Sequence, residues 1–270
     1  MNIEQIARDI YKMKLKALDM ALSTSFGAHI GGGFSAMEIM RCLYEVANIP
    51  SMTDESRDRI IVSKGHGVLA LYTALWKRGF ISEDDLETFE TDGTLFHGHP
   101  HRNLEKGIEF SGGSLGLGIS YAVGVAKACR MKGLSNTIYV LLGDGEMDEG
   151  IVWESVMSIV QFALDNVVLV IDRNKYQLDG PTSEIMNLNP LETKLEAFGF
   201  KTECVNGHSI EELITVLSKK VGGPRAIIAD TIKGNGISFL INNKISHQCT
   251  LSKKKYEQAV EEIKNAYNGE

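Results

Sequence analysis

The sequence predicts an α/β protein of three layers, α/β/α, with a mainly parallel sheet covered by helices on both faces. Three observations predict it. The segments IYVLL at 138–142 and VVLVI at 167–171 are unbroken apolar runs rather than apolar–polar alternations, as expected of strands buried on both faces. Around these runs lie stretches whose apolar residues recur at helical spacing. Strand and helix signals also alternate along the chain, the order that βαβ units produce.

Each element follows in turn. Ile3, Ile6, Ala7, Ile10, Met13, Ala17, Leu18 and Ala21 predict an amphipathic helix over 3–22. GAHIGGGFS reads as a turn. Met37, Met40, Leu43, Tyr44 and Ala47 predict a second helix, and 60–63 a short strand ending in KGHG. LALYTALWKRG is a helix, and 83–89 a short acidic one. Glycine, histidine and proline make 92–114 an irregular loop. Residues 114–131 are apolar on nearly all sides and predict a buried helix in which Gly116, Gly118 and Gly124 permit close approach. Val152, Val156, Ile159, Val160 and Ala163 form one helical face between the two long apolar strands. Further strands are expected at 200–205 and 226–232, separated by a helix through Leu213, Ile214 and Leu217. His208 precedes that helix, whose start offers Ser209 and Glu212 as a capping box. Tyr256, Ala259, Val260 and Ile263 mark a last helix. There is no internal repeat, and residues 1–270 read as one domain.

Composition narrows the function. An apolar content of 43% supports a sizeable core, and a net charge of −7 argues against nucleic-acid or anionic-membrane surfaces. The longest basic run, Lys253–Lys255, reads as a solvated helix face. Cys42, Cys129, Cys204 and Cys249 form no CxxC pair, so neither a zinc ribbon nor a disulfide framework is expected. The amino-terminal segment mixes charges unlike a signal peptide, and no run reaches the ~18 apolar residues of a membrane span. A soluble, cytoplasmic protein is expected.

The chemistry concentrates at LLGDGEMDEG, residues 141–150, where a strand turns into a helix. Ligands of parallel sheets bind beyond the carboxyl ends of the strands. Gly143 and Gly145 let the backbone approach a ligand, and N–H groups opening a helix suit phosphate. Yet Asp144, Glu146, Asp148 and Glu149 would repel a bare phosphate. A divalent cation between them removes the conflict. Magnesium wants about six oxygens, few of them from protein when phosphate is present. Asp144 supplies a carboxylate, Asn174 at the end of the next strand an amide oxygen, and Tyr176 a backbone carbonyl; two diphosphate oxygens and a water complete the set. GDG alone reads as a turn. A second strand ending in Asn after ~30 residues, one βαβ step, turns it into a site.

GDGEMDEG followed by DRNKYQLDG resembles the thiamine-diphosphate signature, and SKGHGVLALYTALWKRGFIS, TLFHGHPHRN, GIEFSGGSLGLGISYAVGVAKA and TIKGNGISF resemble the amino-terminal half of transketolases. The resemblance covers about residues 20–260 and implies the thiamine-diphosphate-binding fold of a diphosphate-binding (PP) domain. It implies that Asp144, Asn174 and Tyr176 hold Mg²⁺ (or another divalent cation such as Ca²⁺ or Mn²⁺), that Gly145 meets the diphosphate, and that Gly113, Ser114 and Leu115 line the cofactor. His66 and His247 would reach the diphosphate or reacting-centre side, and His29 and His99 the sugar. Glu149 and Glu154 match a carboxylate network that runs between two active sites.

Four of the seven histidines fall in such loop motifs, which suits proton transfer near neutrality and stabilisation of an alkoxide. His97, His99 and His101 alternate, but no third ligand type at a supporting spacing favours a metal there; His101 has no role. Four departures from the family pattern stand out: Ala28 for glycine, Leu117 for a polar residue near the cofactor, Ser246 for tryptophan before His247, and Arg173. They suggest a specialised sugar.

Thiamine diphosphate reacts through its thiazolium C2 carbon, and the family's activating glutamate belongs to a pyrimidine-binding domain that is not recognisable here. The resemblance therefore implies the N-terminal subunit of a split transketolase. It would move a two-carbon ketol unit from a ketose phosphate to an aldose, and act only with a partner chain carrying the pyrimidine-binding and C-terminal domains, as an α2β2 heterotetramer. The alternatives are the α subunit of a 2-oxoacid dehydrogenase, disfavoured by GHP and SKGH, and a degenerate non-catalytic half.

Overall fold

A computed structural model describes residues 2–269. Its strands are β1 (Arg59–Val62), β2 (Ile138–Gly143), β3 (Val167–Arg173), β4 (Lys201–Asn206) and β5 (Arg225–Asp230). They form one sheet in the order β1-β2-β3-β5-β4, every neighbouring pair parallel. The helices are α1 (Ile3–Ser23), α2 (Ile30–Ser35), α3 (Met37–Val46), α4 (Val68–Lys77), α5 (Glu83–Glu87), α6 (Leu117–Met131), α7 (Gly150–Gln161), α8 (Thr182–Ile185), α9 (Leu191–Phe198), α10 (Ile210–Leu217) and α11 (Lys253–Asn268).

The unbroken apolar strands are explained by two separate cores. Ile138, Val140 and Leu142 of β2 and Val167, Leu169 and Ile171 of β3 face α6, α7 and α9. The intervening Tyr139, Leu141, Val168 and Val170 face α1, α3, α4, α10 and α11. Successive side chains of a strand point to opposite faces, so both registers must be apolar. Right-handed crossovers account for the layer assignment. The steps β1→β2, β2→β3 and β3→β4 run one way across the sheet and leave α6, α7 and α9 on one face. The return step β4→β5 puts α10 on the other. β4 lies at the edge and none of its residues is buried, consistent with its polar sequence KTECVN.

Several expectations need correction. GAHIGGGFS is not simply a turn: Ile30–Ser35 is a helix whose six residues are all buried. Its glycines serve close packing. A Cβ on Gly31 would lie 2.5 Å from Ser246 Oγ, and one on Gly32 would lie 2.8 Å from His66 Cδ2. The helix of 114–131 begins at Leu117 and is not buried all round. Ile119, Ala122 and Ala126 face the core, while Leu117 and Met131 are exposed. Gly118 does sit against Ser63, but nothing approaches Gly124. Ile232 falls outside β5. Ser209 caps α10 by accepting from Glu212 N at 3.3 Å, yet the Glu212 carboxylate accepts from Asn206 N at 2.9 Å, so the box is not reciprocal. His208 accepts Ile232 N–H at its Nε2 (2.9 Å), with Nδ1 3.1 Å from buried Glu38.

Candidate active site

In the β2–β3 ladder Gly143 pairs with Asp172, so Asp144 and Asn174 leave the sheet side by side. The Asp144 carboxylate accepts Gly145 N–H at Oδ1 (3.0 Å) and Lys175 N–H at Oδ2 (2.7 Å). Lys175 holds the left-handed φ of 66° to bring its N–H there, a conformation that costs a non-glycine residue about 1 kcal/mol. Asn174 Oδ1 accepts Tyr176 N–H at 3.1 Å, and Asn174 Nδ2 donates to Ser35 Oγ at 3.3 Å. Burial, with the Asp172 carboxylate second, pushes Asp144 up to about 7. A cation would reverse that.

Beneath this corner lies a buried charge pair. Lys64 and Asp172, both fully buried, form a salt bridge, and Asp172 also accepts from Ser35 Oγ (2.6 Å) and from Thr231 Oγ1. Glu146, also buried, accepts from Ser63 Oγ (2.6 Å), Gly116 N (2.8 Å) and Gly143 N (3.1 Å). One carboxylate thereby ties the end of β1, the SGGSLG turn and the end of β2 together.

Four imidazoles from distant segments gather beside the corner. His29 precedes α2, and its ring centroid is 5.0 Å from His99, 5.2 Å from His247 and 6.2 Å from His66. His66 and His247 are 5.4 Å apart. His66 sits in the 3₁₀ turn Gly65–Gly67, which packs so tightly on the SGG loop that a Cβ at Gly65 would lie 2.7 Å from Gly113 N. His99 is held by the Gly112 N–H bond to Pro100 O (2.9 Å) and by the Glu90 carboxylate on Gly98 N–H. His247 follows Ser246, which is fully buried against Gly31 and donates to Asn243 O at 2.6 Å. The small serine side chain is thus packed directly on a glycine.

Their surroundings keep these rings neutral. Burial, then His99, His247 and Lys233, lowers His29 to about 3. Burial, then Lys233, lowers His247 to about 4. Burial also lowers His66 strongly and His99 less. Lys233, itself lowered to about 8 by burial and then by Lys64, donates to Gln177 O (3.1 Å) and lies 3.5 Å from both Tyr176 O and His247 Nδ1. A neutral imidazole offers one donor and one acceptor, as proton transfer with a hydroxyl requires.

These groups border a cleft of ≈ 310 Å³. Of the expected site residues, His66, His99, Gly113, Leu115, Gly143, Asp144, Gly145, Glu149, Asn174, Tyr176 and His247 line it, and His29 stands behind them. Ser114 is exposed outside the lining, and Glu154 is exposed on α7. Leu117 is exposed at the start of α6, and it is Leu115 that borders the cleft. Arg173 turns away from it, paired with Asp230 (2.7 Å) and Glu192 (2.7 Å). A larger groove of ≈ 730 Å³ opens near the amino ends of β2 and β3. It lacks this convergence of imidazoles and oxygens, and it lies at the end of the sheet where ligands are not expected. Lys64, Lys233, Gln177, Ser35 and Glu146 were not foreseen as site residues, although Lys64 lies inside SKGHG, Glu146 inside GDGEMDEG, Gln177 inside DRNKYQLDG and Lys233 inside TIKGNG.

The donor set can be tested for fit. Asp144, Asn174 and the Tyr176 carbonyl are hard oxygens suited to Mg²⁺ or Ca²⁺. Asp148 Oδ1, Gln177 Oε1 and His29 Nδ1 are buried and have no partner among the described residues, which leaves polar capacity for a ligand. Among the described residues no three His, Cys, Asp or Glu side chains are grouped so as to hold a metal ion. His97 instead stacks on His101 at 4.7 Å.

Comparison with known proteins agrees. The model of the transketolase thiamine diphosphate binding domain matches residues 6–268. The chain is 39% identical over 241 residues (87% of it, 88% of the relative) to the 6-deoxy-6-sulfo-D-fructose transketolase subunit of a Clostridium species. It is 36% identical over 275 residues (98% and 100%) to an apulose-4-phosphate transketolase subunit of Actinobacillus succinogenes. The crystal structure of Campylobacter jejuni transketolase superposes with a TM-score of 0.89 at 29% identity, covering 98% of this chain and 43% of that one.

Proposed function

Because the chain belongs to the transketolase family, through its thiamine diphosphate binding domain, we propose that it is the cofactor-binding subunit of a two-chain transketolase. The enzyme transfers a two-carbon ketol unit from a ketose phosphate, or a ketose with a comparable terminal anion, to an aldose acceptor. The single domain of residues 1–270 supplies the diphosphate end of the site. A partner chain with the pyrimidine-binding and C-terminal domains supplies the rest, in an α2β2 assembly. Relatives named as transketolase subunits and matched over 88% and 100% of their length support the two-chain reading. The substrates in their names, a sulfonated and a phosphorylated sugar, support a specialised donor.

The observation that carries the reading is the meeting of two sets of groups in one cleft: the oxygens of Asp144, Asn174 and Tyr176, and the neutral imidazoles of His66, His99 and His247, with His29 behind them. Asp144, Asn174 and Tyr176 would hold Mg²⁺, and His66 and Lys233, beside the backbone of Gly145, the diphosphate. Thiamine diphosphate, when bound, supplies the carbanion chemistry of ketol transfer. This chain's own residues bind, orient and move protons. His99, which lines the cleft, takes or returns the proton of a sugar hydroxyl, and the His29 ring backs it at a centroid distance of 5.0 Å with its Nδ1 buried and unpartnered. Glu149, exposed at the cleft, and Glu154, exposed on α7, would contact another chain.

The test is co-expression with a C-terminal-half transketolase subunit, then calorimetry with thiamine diphosphate and Mg²⁺ and a donor–acceptor screen. Ketol transfer by the pair, and none by this chain alone, is expected. A pair that binds no thiamine diphosphate at any Mg²⁺ concentration would refute the proposal.

A further inference from the structure

Asn174 can offer a cation either face of its amide, and only one face is an oxygen. Its surroundings decide which. Ser35 Oγ, fully buried, has one proton and three polar neighbours: Asp172 Oδ2 at 2.6 Å, Gly32 O at 3.2 Å and Asn174 Nδ2 at 3.3 Å. The nearest is an anion, and a hydroxyl gives its proton preferentially to a carboxylate. Lys64 Nζ and Thr231 Oγ1 hold Asp172 in place to receive it. Ser35 Oγ is then an acceptor only toward Asn174. A flipped amide would set Oδ1 against that lone pair and Nδ2 against Tyr176 N–H, two contacts of like polarity where there are now two hydrogen bonds.

We propose that Ser35, brought by the buried helix α2, is a positioning residue that fixes the Asn174 amide so that its oxygen rather than its nitrogen meets the divalent cation. The inference rests on the cofactor reading above and adds to it a residue that touches neither metal nor cofactor. Tyr176 N–H fixes one side of the amide, and Ser35 the other. Loss of Ser35 leaves a buried NH₂ without a partner and frees the flip.

The experiment is a double-mutant cycle on the two-chain complex, with the half-saturating Mg²⁺ concentration for thiamine diphosphate binding read by calorimetry. Ser35→Ala raises that concentration about tenfold, the scale of an outer ligand contact. In the Asn174→Asp background both side-chain atoms are oxygens and no flip exists, so the same change there shifts it less than about twofold. Thermal unfolding is followed for all four proteins. The inference is overturned if Ser35→Ala leaves the wild-type value within about twofold. It is equally overturned if Ser35→Ala weakens binding by the same factor in both backgrounds or unfolds both, since either marks a merely structural serine. Absence of any Mg²⁺-dependent binding by the unsubstituted complex would instead remove the cofactor reading itself.

Discussion

Replacing Lys64 by methionine tests the buried pair that underlies the whole corner. Lys64 and Asp172 are both fully buried, and Lys64 Nζ also donates to Gly32 O at 3.1 Å. Methionine retains most of the side-chain volume but leaves the Asp172 carboxylate without its cation. Breaking a buried ion pair from one side costs about 3–5 kcal/mol. Two hydroxyl donors, Ser35 and Thr231, stay on Asp172, and bonds to a charged acceptor contribute about 1.5–3 kcal/mol each. The lower end, about 3 kcal/mol, is therefore expected for Lys64→Met. At about 2–4 °C per kcal/mol for a domain of this size, the melting temperature falls by about 6–12 °C. The assay is equilibrium urea unfolding followed by circular dichroism, with a cycle through Asp172→Asn. The double variant has no unpaired charge, so it recovers about half the loss. A single variant within about 1 kcal/mol of wild type, or strictly additive effects, would show that the pair is not what holds this corner.

The remaining predictions concern the metal, the histidines, the close contacts and the partner. Asp144→Ala abolishes Mg²⁺-dependent binding of thiamine diphosphate while the unfolding transition stays cooperative; unchanged calorimetric affinity contradicts the site. His29 binds its proton less tightly in the fold, about 3 against 6.5, so the unfolded chain takes up more protons below pH 6.5 and stability falls as pH drops. That contribution is about 1.4 kcal/mol per pH unit. Urea titrations of wild type and His29→Gln at pH 7, 6 and 5 diverge accordingly, and parallel curves would count against a neutral, buried ring. Asp144 opposes this trend, because its carboxyl is raised in the fold, so the difference between the two proteins is the quantity to read. Gly31→Ala puts a Cβ 2.5 Å from Ser246 Oγ and 2.7 Å from Ser246 O. Overpacking of this kind costs about 1–3 kcal/mol, and the displaced His247 should lower ketol transfer in the complex more than it lowers the melting temperature. The chain purified alone shows no ketol transfer in a coupled assay; turnover by it would remove the need for a second subunit.

Local signals carried much of the layering. Apolar runs at 138–142 and 167–171 and helical spacing at 3–22 placed β2, β3 and α1 to within two residues, because burial of a strand on two faces or a helix on one leaves its period in the chain. The Gly-Asp-Gly corner and Asn174 were legible for a related reason: one βαβ step fixes how far apart adjacent strand ends fall. The SKGHG and HGHP motifs pointed to His66 and His99. Helix α2 was not legible, since a run of glycines has poor helix propensity and forms here because its neighbours approach too closely for side chains. Nor did any local pattern show that Lys64 would meet Asp172, that Ser35 would face Asn174, or that residues 29, 66, 99 and 247 would bring their rings within about 6 Å. The sequence alone determined the strands and the long amphipathic helices, and where two strands deliver their oxygens. The tertiary structure decided which buried charges, hydroxyls and imidazoles surround those oxygens, because such contacts join segments tens to hundreds of residues apart and periodicity along one segment carries no record of its neighbour in space.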